Sequence, residues 1–238
     1  MPESLTPQTR ADERTRRYLP LGIVITVALL TISGGGLLYR STRLPLLGLS
    51  EKSSPREPGR GIHTRGPADA AVIMVEYADF QCPPCSKLAT LIRQLEQEYR
   101  PRLRIVFRHF PLTIHKHAHE AALAAEAAAQ QDRFWEMHDL LYREQDVWSA
   151  AEDARPLFHA YAGILGLNIE RFKKEMMEDA AEARVHNDQH EAEELGVANT
   201  PTLFVNNRAV PPGALSLTGL RAVIDAALNE APQQKNSE

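Results

Sequence analysis

The chain has 238 residues, with 43% apolar and 24% charged side chains and a formal net charge of −4. These values suit one or two globular domains, and the slight acidity removes any bulk electrostatic case for nucleic acid. Two cysteines can form one bridge at most, which excludes a small fold framed by disulfides.

Residues 1–17 read as a short tail. Residues 18–39, YLPLGIVITVALLTISGGGLLY, carry no charge. As a helix they extend about 33 Å, enough for a bilayer core, and a tyrosine at each end suits the two interfaces. The run is long for a signal-peptide core and lacks a clear A-x-A cleavage site, so it predicts a transmembrane anchor. Arg16 and Arg17 abut its start, the usual arrangement of a signal anchor with the bulk of the chain on the extracytoplasmic side. Residues 40–69 are rich in Pro, Gly, Ser and Arg and read as a flexible linker. A domain over 70–230 follows, and 231–238 form a C-terminal tail.

Within the domain, the unbroken apolar run AVIMV, residues 71–75, predicts a strand buried on both faces. Glu76 closes that run. After the cysteines, Leu88, Leu91, Ile92 and Leu95 fall on one stripe of a helix, with Pro101 beyond its end. Leu103, Ile105 and Phe107 then alternate with arginines, the period of a strand. Strand, helix, strand predicts a parallel pair with a right-handed crossover. Residues 112–195 change to strong helix formers, with Gly163, Gly166 and Gly196 as stops. Strand signals return at TLFVNN, where Asn206 and Asn207 suit a hairpin turn. An amphipathic helix, LTGLRAVIDAAL, closes the domain. A βαβ half and a ββα half with helices between them outline an α/β thioredoxin fold with an inserted helical subdomain.

The stretch DFQCPPCSK holds both cysteines. A structural bridge between Cys82 and Cys85 closes so short a loop that it constrains little of the unfolded chain. Half a zinc site is a second reading, with His115, His117 and His119 as further ligands. If a helix already begins there, those three point apart, so no metal site is assigned. The third reading is a redox pair. With Cys82 at the helix N-cap, Pro83 occupies N1 and Pro84 N2, both tolerated in a first turn. The thiol then meets the positive end of the helix dipole and becomes a thiolate nucleophile, with Cys85 as resolving partner. Pro84 deletes the N2 donor and leaves only the Cys85 amide. Donor counting therefore predicts a Cys82 pKa depressed less than where histidine precedes the second cysteine, and a less oxidising pair. Glu76, at the end of the first strand, is placed to move protons for Cys85.

The segments EYADFQCPPC, FRHFPL, AAEAAAQQDRFWEMHDLLY and GVANTPTLFVNN, in this order, resemble the DsbA-like thiol–disulfide oxidoreductases of the thioredoxin superfamily, most closely the membrane-anchored members. The resemblance implies an exposed nucleophile at Cys82, a buried partner at Cys85, a buried acid at Glu76, and a threonine and cis-proline at Thr200 and Pro201 that face the cysteines and bind substrate backbone. No cofactor is implied. The function expected is oxidation of secreted or envelope protein thiols on the outer side of a cytoplasmic membrane, with a quinone-linked membrane partner restoring the disulfide. The Pro83-Pro84 pair departs from the histidine-containing pair of strong oxidants and keeps a reductase or isomerase as the alternative. A metal-binding or chaperone module that uses the cysteines as ligands is another.

Overall fold

The computed structural model describes residues 63–230. The anchor expected at 18–39, the tails at 1–17 and 231–238 and most of the linker lie outside them. Among the described residues, no helix is long and apolar enough to cross a membrane.

A five-stranded sheet in the order β1-β3-β2-β4-β5 organises the domain. Its strands are β1 (His63–Arg65), β2 (Val72–Ala78), β3 (Leu103–His109), β4 (Thr202–Val205) and β5 (Arg208–Ala209). β2 and β3 are parallel, and the other pairs are antiparallel. Helix α1 (Pro83–Tyr99) connects β2 to β3. The insertion comprises α2 (Ala118–Ala129), α3 (Phe134–Arg143), α4 (Gln145–Ser149), α5 (Arg155–Ile164), α6 (Ile169–Glu175) and α7 (Asp179–Glu194), and α8 (Leu217–Glu230) closes the chain.

The edge strand corrects one boundary. The linker expected over 40–69 contains β1, whose Arg65 pairs with Ile105 of β3. Three residues are too few to show an alternation. The strand is held by a partner distant in sequence and by Trp135 of α3, whose Nε1 donates to the Thr64 carbonyl at 3.0 Å.

Central strand β2 is buried on both faces, as its apolar run requires. Val72 and Met74 pack with Leu88, Ile92 and Leu95 of α1 and Leu220 and Ile224 of α8. Val75 and Tyr77 pack on the opposite side with Ala192 of α7. Glu76 is not at the strand end but inside it, opposite Phe107 and Leu203. Strand alternation puts its side chain on the face of Met74, beneath α1. β3 is likewise covered on its polar side: Arg108 is buried and pairs with Asp188 of α7 at 2.7 Å and Glu191 at 3.2 Å.

In the insertion, α2 buries Ala121, Ala122, Ala124, Ala125, Ala127 and Ala128. Such small side chains let neighbouring helices approach closely. Trp148, Phe158 and Phe172 fill the space beside it. Gly166 and Gly196 adopt φ of +72° and +73° just past helix ends, where a left-handed residue is needed. Gly163, expected as a stop, lies inside the last turn of α5. Asn206 and Asn207 both have positive φ and turn β4 into β5, as their type predicts.

Candidate active site

Cys82 is the N-cap of α1, with extended φ and ψ of −77° and 117°, and two prolines begin the helix. Cys85 stands one turn in. Both are free thiols. The Cys85 and Ser86 amides donate to the Cys82 carbonyl at 3.0 and 3.3 Å. The thiol has a partner across the site: Cys82 Sγ donates to the Thr200 carbonyl oxygen at 3.4 Å. The peptide between Thr200 and Pro201 is cis.

The two sulfurs are set apart by their surroundings. Cys82 is lowered to about 6. Its largest cause is the hydrogen bond from the Cys85 thiol; burial opposes it, and the Thr200 side chain and the Cys85 amide add to it. Cys85 is pushed up, first by burial, then by the same bond to Cys82 and the charge of Glu76. One sulfur is thus an anion near neutral pH and the other a thiol, which is the division of labour thiol exchange requires.

Glu76 is pushed up to about 8, by burial first and by Cys82 second. Its Oε1 has no partner among the described residues. A pocket of about 10 Å³ lined by Glu76, Ala89, Ile92, Trp135, His138 and Asp139 lies beside it, room for about one water. The acid therefore holds its proton at neutral pH, within reach of the Cys85 field.

The expectation of an exposed Cys82 needs correction. The residue is only 5% exposed. The Thr200 carbonyl faces its sulfur, and the residue packs into the cluster that includes Phe80 and Ala89.

Several supporting residues carried no signal in the sequence. Asp79 accepts from the Gln81 amide at 2.6 Å, the Leu112 amide at 2.8 Å and His115 Nδ1 at 2.6 Å. Gln145 of α4 donates to the carbonyls of Phe80 at 2.6 Å and Cys82 at 3.1 Å. Tyr142 of α3 reaches the Asp79 carbonyl at 3.5 Å. The helical insertion thus clamps the loop that delivers Cys82.

The histidines at 115, 117 and 119 do not converge. They bind Asp79, the Ala151 carbonyl and Glu182 respectively. Among the described residues, the cysteines belong to no converging group of three metal-ligating side chains; His63, His109 and Glu126 do form one.

A thioredoxin fold that sets a low-pKa thiol at a helix N-terminus, with a buried partner one turn on and Thr200-Pro201 opposite, defines the class of thioredoxin-like thiol–disulfide oxidoreductases. The chain belongs to the Thioredoxin_4 family, described as thioredoxin, whose profile matches residues 59–226. Among solved structures, oxidised BdbD from Bacillus subtilis superposes with a TM-score of 0.66 at 21% identity, covering 74% of this chain and 98% of that one. A thioredoxin-like oxidoreductase from Silicibacter pomeroyi DSS-3 gives 0.62 at 25% identity, over 73% and 95%. In sequence, the Na(+)/H(+) antiporter NhaA 3 of Salinispora tropica is 40% identical over 185 residues, covering 77% of this chain but 27% of that protein. The chain spans about a quarter of the length of the curated relatives it matches.

Proposed function

We propose that the protein passes the Cys82–Cys85 disulfide to thiols of secreted or envelope proteins, anchored in the cytoplasmic membrane by residues 18–39 with its domain on the outer side. The observation that carries the reading is the asymmetry of the pair, a Cys82 lowered to about 6 beside a Cys85 held as a thiol. A client thiolate attacks Cys82 Sγ, the intramolecular S–S bond breaks, and Cys85 leaves with the electron pair. Glu76, protonated at neutral pH, supplies the proton that Cys85 takes up. A second client thiolate then attacks the client sulfur of the mixed disulfide and releases Cys82 as a stable thiolate. Two electrons move from the client to the protein; the client's protons go to solvent as its thiols ionise, Glu76 regains from solvent the proton it gave to Cys85, and a quinone-linked membrane partner removes the electrons. Thr200 and Pro201 lie just before β4, facing Cys82, where an extended client adds as a strand. Oxidation outside the cytosol fits this compartment, where disulfides persist. Antiport belongs to the longer relatives as whole proteins and is not assigned to this domain.

One observation favours the reverse direction. Pro84 deletes a donor to the Cys82 thiolate, which destabilises the reduced form and makes the pair less oxidising. The reduction potential of the pair against glutathione decides. A value near about −120 mV makes the protein a donor of disulfides; one near about −270 mV makes it a reductase and removes the proposed direction.

A further inference from the structure

Away from the cysteines, three elements bring donor atoms to one point. His63 of β1 places Nε2 at 2.5 Å from Glu126 Oε1, and His109 at the end of β3 places Nε2 at 2.8 Å from the same oxygen. Their ligand atoms all lie within 4.8 Å of one another. Glu126 and His109 are buried, and His63 is nearly so. The oxidoreductase chemistry uses none of the three.

We propose that His63, His109 and Glu126 form a binding site for a divalent transition metal of the zinc type. Two imidazole nitrogens and one carboxylate oxygen are a donor set that zinc takes with one further position open. At zinc bond lengths, tetrahedral ligand atoms stand roughly 3.3–3.5 Å apart. The two nitrogen–oxygen pairs, at 2.5 and 2.8 Å, must open by up to about 1 Å to admit the ion. The open position has a place to face: a cavity of about 380 Å³ is lined by His63, Glu126, Gln130, Phe134 and Arg184, and it admits water or a ligand from outside.

The protonation states suit ligation. Burial is the largest influence on Glu126 and opposes ionisation, but the bonds from His109 and His63 outweigh it and hold the carboxyl below the usual range. Burial lowers His63, against the pull of Glu126, so it is a neutral ring at neutral pH. Each imidazole must move its proton from Nε2 to Nδ1 to bind. That change gives up the Nε2–H bond of His109 to Glu126, which a metal bond would replace, and places the proton on a buried Nδ1 that has no partner among the described residues. Arg184 opposes the ion: its Nε donates to Glu126 Oε2, and it stands on the cavity wall, partly exposed. It is the group whose charge a bound cation must tolerate. A bound ion would clip edge strand β1 to the end of β3 and to α2 of the helical insertion.

The test uses the full chain, without an affinity tag, carrying Cys82→Ser and Cys85→Ser so that no sulfur ligates. Co²⁺ titration is followed by visible d–d absorption and Zn²⁺ by competition with a chromophoric chelator. One ion per chain, with a dissociation constant of about micromolar or tighter, is expected. His63→Gln, at the least buried ligand, weakens binding about a hundredfold, and Arg184→Gln tightens it about tenfold. Glu126→Gln risks the fold, so thermal midpoints of the His63→Gln protein serve as the control: Zn²⁺ raises the midpoint of the parent and leaves that of His63→Gln unchanged. Absence of stoichiometric binding, or binding indifferent to His63→Gln, overturns the proposal.

Discussion

Cys82 Sγ lies 3.4 Å from the carbonyl oxygen of Thr200, and the Thr200 side chain keeps a buried Oγ1 without a partner among the described residues. The neutral thiol donates to the carbonyl. The thiolate cannot, and the Thr200 hydroxyl becomes the donor that the anion needs. Thr200→Val keeps the shape and removes that donor. It should raise Cys82 above its value of about 6 by about one unit, because a hydrogen bond to a charged group contributes about 1.5–3 kcal/mol. Thiolate absorbance against pH reads the change. An unchanged titration assigns the depression to Cys85 alone.

The prolines make an opposite prediction. Pro84 at N2 withholds an amide that an N-cap thiolate otherwise accepts. Pro84→His restores the N–H and adds an imidazole beside the sulfur. Cys82 should fall below about 6, and the pair should become more oxidising, since stabilising the thiolate stabilises the reduced form. About one pKa unit for one charged hydrogen bond corresponds to about 30 mV. A pair whose potential moves the other way would show that the prolines act by fixing the loop and not by removing a donor.

How much of this was legible in the sequence varied with the range of the interactions. The N-cap position of Cys82 followed from two prolines and a helical stripe, all within a few residues. The Asn206-Asn207 turn was equally local. Glu76 reads as the end of the apolar run, whereas β2 continues two residues further to Ala78; its burial depends on α1 lying over that face of the strand. Strand β1 reads as linker in the sequence, since its Arg65 pairs with Ile105, forty residues on. His63, His109 and Glu126 carry no spacing that announces a cluster. Only the packing of an edge strand, a central strand and an inserted helix brings them together, and the clamp of Gln145 on the cysteine loop is of the same long-range kind.

Glu76 gives a pH signature with a definite sign. Its folded pKa of about 8 stands above the ordinary 4.5, by burial and then by Cys82. The folded protein keeps this proton between those values while the unfolded chain releases it, so stability falls as pH rises through that window. Cys82 does the reverse, from 9.0 unfolded to about 6 folded, and adds stability as pH rises from about 6 to 9. In the reduced protein the two slopes oppose one another between about pH 6 and 8. The Cys82→Ser protein isolates the Glu76 slope, a loss on the order of a few kcal/mol between about pH 4.5 and 8, readable from urea midpoints. Glu76→Gln should flatten it and should slow release of Cys85 from the disulfide about tenfold or more at neutral pH. A pH-independent midpoint in Cys82→Ser would mean that Glu76 titrates normally, which would end its role as a proton donor.

The clasp between α7 and the sheet supplies a test of stability apart from redox chemistry. Asp188 accepts from Arg108 at 2.7 Å through Oδ1 and from the His109 amide at 2.9 Å through Oδ2. Both side chains are largely buried, and Arg108 also meets Glu191 at 3.2 Å. Asp188→Ala strips a buried guanidinium of its shorter partner and leaves a buried amide unpaired. The expected cost is about 3 kcal/mol, moderated by Glu191, with the urea midpoint lowered and the slope unchanged. Asp188→Asn should lose less, since the amide oxygen still accepts one of the two bonds. The Cys82 titration should not move in either variant, because the clasp acts on the face of the sheet opposite α1. A shifted thiol pKa would mean that α7 positions the cysteine loop as well as the sheet.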